Sequence, residues 1–243
     1  MLVQEGSKER GDNMKLKVLG SSSSGNCYIL ESDTEALIIE AGLPFMEVKK
    51  ALNFNVRKIV GVICSHRHLD HSKYIAEYEN AGIRVWKPYF DNDAGYEIKT
   101  RYFGKKFTVR DFDLVHDVDC LGFHIQHPDI GTLVYATDTE YIKYRFKNIN
   151  HILVEANHSY DLIDNEAVNR EHVLGGHMSL QTALDFISTN DNPALRNVVL
   201  LHLSDKNSDS EQFLQKTKET IKYGADCYIA EKGLEVDLNL CPF

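Results

Sequence analysis

Residues 65–71 read Ser-His-Arg-His-Leu-Asp-His, so three imidazoles and one carboxylate lie within six positions. Neutral imidazole and carboxylate groups are the ligands that zinc, manganese and iron take from proteins. Because residues i and i+2 of an extended chain point to the same side, His66 and His68 can bind one ion together. Asp70 and His71 follow after a bend and can face a second ion. Isolated histidines are common in a chain with eleven of them, but this clustering predicts a metal site.

The cluster follows an apolar run, residues 59–64, whose length and β-branched content predict a buried strand. A site for two ions needs roughly seven or eight ligands from protein and water together. Further ligands must therefore come from other parts of the chain, preferably from strand ends, where a rigid sheet fixes their geometry. The residues at such positions are His116, Asp138 and His202.

Composition limits the class of protein. The net charge of −9 argues against a protein that coats nucleic acid, although it does not exclude an enzyme that meets phosphate at a metal site. No apolar stretch approaches the ~20 residues of a membrane span. The polar start of the chain lacks a secretory signal, and five scattered cysteines are typical of a reducing cytosol, so we expect a cytoplasmic protein with no membrane partner. The oligomeric state stays open.

Short strands separated by turn residues begin the chain, and a β-α-β pattern ends it. This order predicts an α+β fold with two sheets faced by helices. We expect one domain over residues 14–243, preceded by a flexible extension at residues 1–13.

The pattern His-x-His-x-Asp-His after a strand resembles the signature of the metallo-β-lactamase superfamily. The resemblance implies an αββα four-layer sandwich and a site for two divalent ions, Zn²⁺ or Mn²⁺, with Fe²⁺ also suited. It further implies a hydroxide that bridges the ions as nucleophile and is oriented by Asp70. The implied ligands are His66, His68 and His116 for one ion, Asp70, His71 and His202 for the other, and Asp138 as the bridge.

Within that superfamily, four segments of this chain resemble the YycJ/WalJ-like branch. They are residues 20–27 (GSSSSGNC), 138–139, 155–158 (EANH) and 176–179 (GHMS). The resemblance implies a 5′-to-3′ DNA exonuclease, with DNA as its partner. The branch usually has Asp where this chain has Glu40, which puts the geometry of a hydrogen bond to the His loop in doubt. Ser65 stands where Thr is common.

Two segments could contact phosphate. A Gly/Ser loop exposes backbone N–H groups and hydroxyls, and residues 175–179 precede a predicted helix whose N-terminus favours anions. The alternatives are a tight turn for the serines, a helix cap for 177–179, and a loop histidine at 158. The predicted substrate-binding residues are Ser21, Ser22, Ser23, His158, His177 and Ser179, and His177 joins Asp70 as a predicted catalytic residue.

Two other functions compete with the nuclease. One is a hydrolase of small molecules such as thioesters, lactones or cyclic nucleotides, which the acidic charge favours and the phosphate-binding segments disfavour. The other is a metal-binding regulatory protein without turnover, which the complete set of ligand types disfavours.

Overall fold

The computed structural model describes residues 13–87, 98–163 and 176–240. Most of the predicted N-terminal extension, and Gly175 of the predicted phosphate segment, lie outside these ranges. Within them thirteen strands form two sheets. In chain order the strands are β1 (Lys15–Gly20), β2 (Cys27–Glu31), β3 (Ala36–Ile39), β4 (Ile59–Ile63), β5 (Val85–Trp86), β6 (Thr100–Phe103), β7 (Phe107–Leu114), β8 (Cys120–His127), β9 (Gly131–Ala136), β10 (His151–Glu155), β11 (Asn197–Leu201), β12 (Asp226–Ile229) and β13 (Glu235–Asp237).

The first sheet has the order β13-β1-β2-β3-β4-β5 and the second has the order β12-β11-β10-β9-β8-β7-β6. The N-terminal strands β1 to β3 form an antiparallel meander, as the closely spaced turn residues predict. β3, β4 and β5 are parallel, and so are β9 to β12. The last strand pairs with β1, so the C-terminal part of the chain contributes to both sheets.

The described part of the chain has five α-helices: α1 (Phe45–Ala51), α2 (Leu69–Ser72), α3 (Ile75–Asn80), α4 (Leu180–Asn190) and α5 (Ser210–Thr220). All except the short α2 pack on the outer faces of the sheets. Alternation along buried strands sends successive side chains to opposite layers. In β10, Leu153 joins a core shared by both sheets, whereas Ile152 and Val154 pack with α4 and α5. A third cluster joins the first sheet to α1 and α3. The predicted αββα sandwich is therefore confirmed.

Most predicted elements are present with shifted ends, and two differ in kind. The sequence after the His cluster predicts one helix over residues 72–81, but the structure has the two short helices α2 and α3. The helical path is interrupted because the Tyr74 N–H donates to the Ala41 carbonyl at 2.9 Å. The sequence pattern also favours extending the strand predicted at 59–64 back to residue 56, but Val56–Lys58 form a 3₁₀ turn instead. In the described part of the chain, no helix has the length and apolarity that crossing a bilayer requires.

Strand direction determines where the polar loops meet. The parallel strands β3 and β4 end at one edge of the first sheet, and β7, β9, β10 and β11 all run toward one edge of the second. The predicted ligands all follow the ends of these strands. The fold thus brings them to one end of the sandwich.

Candidate metal centre

Three residues at this end have left-handed backbone conformations that are unusual for residues other than glycine. The φ angles are 67° at Glu40, 49° at Asp138 and 53° at His202. Each follows a buried strand closely, so the chain turns sharply and directs the side chain away from the strand path. Such conformations cost about 1–3 kcal/mol each and concentrate at functional sites.

The first group of convergent donors consists of His66, His68, His116 and Asp138. Nδ1 of His68 lies 3.2 Å from Nε2 of His116, and Nε2 of His66 lies 3.7 Å from Oδ2 of Asp138. The Ser65 hydroxyl lies 2.9 Å from Nδ1 of His66 and orients that ring. The structure thus brings together the three histidines and the aspartate that were predicted to share an ion.

The second group consists of Asp70, His71, Asp138 and His202. Nε2 of His71 lies 3.3 Å from Oδ2 of Asp70 and 3.4 Å from Oδ1 of Asp138. Nε2 of His202 lies 3.5 Å from the same Asp70 oxygen. Asp138 belongs to both groups, with one oxygen near each, and its role as a bridge between two ions stays a prediction.

The donor atoms fit divalent ions. Two ligands bound at 2.0–2.1 Å to a tetrahedral ion lie about 3.3 Å apart, close to the separations found here. Nε2 of His66 and of His202 are buried and have no hydrogen-bond partner in the described parts of the chain. Burial of an unpaired polar atom is costly. A cation that accepts these lone pairs accounts for the arrangement, so the groups form a candidate divalent-metal site.

The charge balance of the site also favours a cation. Burial lowers the pKa of His66 and of His116. Burial would lower the pKa of His71 and His202 as well, but the surrounding carboxylates, Asp138 foremost, together outweigh it and raise both. Burial would raise the pKa of Asp138, but His202 and His71 hold it well below its usual range. The carboxylates thus require positive charge, which a divalent ion would supply in place of protons.

A third donor group, Asp138, Glu155, His177 and His202, extends the site beyond the predicted ligands. One oxygen of the buried Glu155 accepts from Nδ1 of His177 at 2.7 Å and lies 3.2 Å from Nδ1 of His202. Its other oxygen accepts from the backbone N–H groups of Thr139 and Met178, both at 3.1 Å. Glu155 is therefore fully satisfied and holds two rings in fixed orientations.

Two residues outside the donor groups contact the loop that carries Asp70 and His71. The Asn26 amide nitrogen lies 3.3 Å from Oδ2 of Asp70 and 2.9 Å from Nε2 of His71. Gly42 packs so closely on the His loop that a Cβ built there would lie 1.7 Å from the Asp70 carbonyl oxygen. Only glycine fits at this approach.

Glu40 contacts the His loop despite its extra methylene. Its carboxylate accepts from the Ser65 N–H at 3.2–3.3 Å and from the Tyr135 hydroxyl at 3.0 Å. It also lies 3.5 Å from Nδ1 of His71. The left-handed backbone at Glu40 and the Tyr135 hydroxyl accommodate the longer side chain between the two sheets.

The serine loop lies beside the donor groups but is partly engaged in structure. The Ser21 hydroxyl accepts from the Tyr28 hydroxyl at 2.7 Å and from the His202 N–H at 2.9 Å, so it positions a ligand. Ser21 and Ser22 also line a cavity of about 600 Å³. Ser23 is exposed in the turn. Contact of these three serines with substrate stays a prediction.

The segment from Met178 to Ser179 runs alongside the end of β10. The Ser179 hydroxyl accepts from the Thr182 N–H at 3.2 Å and caps α4, which is the alternative that the sequence left open. The backbone of His158 accepts from the Leu180 N–H at 2.7 Å. The His158 ring is buried, and neither of its nitrogens has a hydrogen-bond partner among the described residues. Substrate contact by His158 and Ser179 stays a prediction.

Sequence reasoning did not identify Glu155 and Asn26 as parts of the site. Two signals were available for Glu155, because it begins the motif 155–158 and ends β10 between two strands that also end at site residues. Asn26 is separated from His71 by 45 positions, and no spacing rule connects the two.

Comparison with known proteins shows what the chain resembles. Residues 22–113 match the model of the metallo-beta-lactamase superfamily. Exodeoxyribonuclease WalJ of Streptococcus pneumoniae serotype 2 is 23% identical over 236 aligned residues, which cover 81% of this chain and 84% of that protein. Exodeoxyribonuclease YycJ of Bacillus anthracis is 24% identical over 178 aligned residues, which cover 62% of this chain and 65% of that protein.

Solved structures share the fold. The metallo-beta-lactamase fold protein YhfI from Bacillus subtilis has a TM-score of 0.71 at 18% identity, covering 93% of this chain and all of that one. The short form of human tRNase Z has a TM-score of 0.60 at 13% identity, covering 93% of this chain and 99% of that one. Residues 22–113 thus match a metallo-β-lactamase domain, the sandwich has the fold of these solved structures, and the curated relatives resemble this chain over most of its length.

Proposed function

We propose that this protein is a divalent-metal-dependent nuclease that removes nucleotides from DNA ends in the 5′-to-3′ direction. The observation that carries the proposal is the set of three donor groups that share Asp138 where the two sheets end. Two relatives that align with 81% and 62% of this chain are named exodeoxyribonucleases, which supports DNA as the substrate. The four described cysteines are free and buried, which supports a reducing, cytoplasmic setting.

The donor groups suit two ions, for which Zn²⁺ and Mn²⁺ are the first candidates and Fe²⁺ the next. When bound, divalent ions acidify water and stabilise the charge that develops on phosphoryl oxygens. The proposed ligands are His66, His68 and His116 for one ion, Asp70, His71 and His202 for the other, and Asp138 between them.

Two side chains are assigned to the reaction itself. Asp70 carries a largely buried carboxylate, 20% exposed, beside His71 and His202, where it can accept a hydrogen bond from an attacking water and orient it. His177 donates its Nδ1–H to Glu155, and we assign its Nε2 to the substrate phosphate. Glu155 acts through His177 as a positioning residue.

The test is cleavage of end-labelled linear DNA by purified protein reloaded with Mn²⁺ or Zn²⁺, with nitrocefin and a thioester assayed in parallel. We expect release of nucleotides from the 5′ end, with loss of cleavage on chelation. His68→Ala should reduce the rate more than about 100-fold, because it removes a proposed metal ligand. His124→Ala is the matched control, since His124 packs on Phe146 away from the donor groups.

If the protein leaves DNA intact and hydrolyses the thioester, the proposed nuclease function is wrong and the small-molecule hydrolase takes its place. Equal rates for the His68→Ala variant and the wild type would move the active site elsewhere. A native-like circular dichroism spectrum of each variant would show that a reduced cleavage rate does not result from unfolding.

A further inference from the structure

One loop contacts every residue that is assigned to the second ion alone. It is the serine loop, residues 21–26, which joins β1 to β2. The Asn26 amide contacts Asp70 and His71. The Ser21 hydroxyl accepts from the backbone N–H of His202. In the described part of the chain, no hydrogen bond joins this loop to the three histidines assigned to the first ion.

Hydrogen bonds fix the orientation of the Asn26 amide. Nδ2 lies 3.1 Å from the Ser22 carbonyl oxygen, which can accept a hydrogen bond but cannot donate one. Oδ1 lies 3.4 Å from the Tyr28 hydroxyl, which can donate. One amide hydrogen therefore goes to Ser22, and the second points toward Oδ2 of Asp70 at 3.3 Å and Nε2 of His71 at 2.9 Å.

This second amide hydrogen supports a carboxylate ligand. Nε2 of His71 is assigned to the ion, which leaves the hydrogen to Oδ2 of Asp70. A hydrogen bond to a ligating carboxylate fixes its orientation, and its loss weakens metal binding. The backbone N–H of Asn26 also donates to the Asp70 carbonyl at 2.7 Å, so the loop holds this ligand by both backbone and side chain. Because Asn26 is fully buried, water does not compete for these contacts.

The serine loop holds the third ligand through its backbone. His202 has a left-handed φ of 53°, and its N–H donates to the Ser21 hydroxyl at 2.9 Å. The hydroxyl of the buried Tyr28 donates to that of Ser21 at 2.7 Å and fixes its position. A strained backbone persists only where its surroundings hold it. Ser21 therefore supports the turn that directs the His202 ring into the site.

We propose that the serine loop, acting mainly through Asn26, sets the affinity of the second ion and leaves that of the first unchanged. Asn26 and Ser21 are positioning residues, because they act through the ligands of the second ion. The inference deepens the proposed function and rests on its two-ion site. It follows that a change in this loop separates the affinities of the two ions.

The experiment measures the Kd of each ion separately from cleavage. Chelated protein is titrated with Zn²⁺ in the presence of a competing chelator, and calorimetry gives one Kd for each ion. Asn26→Ala should raise one Kd about 10- to 100-fold, the usual effect of losing a group that orients ligands, and leave the other within about twofold. Ser21→Ala should raise the same Kd by a smaller factor, and it tests the inference also if Asn26→Ala does not fold.

Two further backgrounds show which ion is affected. In His68→Ala protein only the second group keeps all its ligands, and adding Asn26→Ala should raise the remaining Kd. In His71→Ala protein only the first group is complete, and adding Asn26→Ala should leave the remaining Kd unchanged. The reverse pattern would contradict the inference.

Asn190→Ala is the matched control, because Asn190 is a buried asparagine at the end of α4. Its Oδ1 accepts from the Phe146 N–H and its Nδ2 donates to the Phe186 carbonyl, both at 2.8 Å. The control should lower the free energy of unfolding and leave both Kd values unchanged. An equal rise of both Kd values in Asn26→Ala, or no rise in either loop variant, overturns the inference. A wild type that binds two ions but leaves DNA intact contradicts the proposed nuclease instead, so the two failures are distinguishable.

Discussion

The side chains of this site were only partly predictable one residue at a time. His66, His68, Asp70 and His71 are close in sequence, so their common role could be inferred from spacing alone. Glu155 could not be assigned in this way, because it contacts His177 and His202 from 22 and 47 positions away. Its importance follows from burial and from four accepted hydrogen bonds.

Replacement of Glu155 by glutamine tests its positioning role. The amide nitrogen of Gln would place a donor against either the histidines or the backbone N–H groups of Thr139 and Met178. We expect kcat for DNA cleavage to fall by about 10- to 100-fold, the usual effect of losing a group that orients ligands. The measurement is single-turnover cleavage, with metal content determined by mass spectrometry.

The control for this variant is Glu235→Gln, because Glu235 is an exposed glutamate paired with Lys15. It should cleave at the wild-type rate. A Glu155→Gln protein with wild-type kcat would show that the orientation of His177 does not limit the reaction.

At the scale of elements, the hydrophobic pattern predicted the strands well, because nearly all of them are buried on at least one face. The pattern failed where a long-range hydrogen bond determines the backbone conformation, as at Tyr74 between α2 and α3. The left-handed backbone at Glu40, Asp138 and His202 was also unpredictable, since Glu rarely adopts this conformation and most Asp and His residues do not, although both are enriched in it. Tertiary contacts therefore determined the details on which the site depends.

Gly42 offers a test of how the loop after β3 supports the His loop. Gly42→Ala places a methyl group where only 1.7 Å separates it from the Asp70 carbonyl oxygen, so the His loop must move. We expect weaker metal binding in a metal titration and a lower free energy of unfolding by about 1–3 kcal/mol in urea denaturation.

Gly82→Ala is the comparison for this substitution. Gly82 has a φ of +75° and open space around its Cβ position, so alanine there adds backbone strain without a clash. It should reduce stability modestly and leave metal affinity unchanged. Equal metal affinity for the Gly42→Ala variant and the wild type would mean that the His loop does not depend on this close approach.

At the scale of the whole molecule, a buried histidine links the two sheets. Nε2 of His151 donates to the Ile130 carbonyl at 3.1 Å, and its Nδ1 accepts from the Asn197 amide at 3.0 Å. The same amide donates to the carbonyl of Asp237 in β13 at 3.1 Å. Both ring nitrogens are thus used by the neutral form, and burial lowers the pKa of His151 to about 4.

This histidine predicts acid sensitivity. In the unfolded chain His151 is protonated near pH 6.5, whereas in the folded protein it is protonated only near pH 4. The stability from neutral His151 is therefore complete above pH 6.5 and is lost as the pH falls from 6.5 to 4, by up to about 3 kcal/mol. His151→Gln removes this titration. Urea denaturation of chelated protein at pH 7 and pH 5 should show a smaller loss for the variant, and an equal loss would assign the acid sensitivity to other groups.

The central claim is that the three donor groups form a site for two divalent ions that carries DNA hydrolysis. The most direct measurement follows cleavage of end-labelled DNA while chelated protein is reloaded stepwise with Mn²⁺ or Zn²⁺, with bound metal counted at each step. We predict no cleavage without metal and a rate that reaches its maximum at two ions per chain. Full cleavage by the metal-free protein, or a maximum at one ion per chain, would contradict the claim.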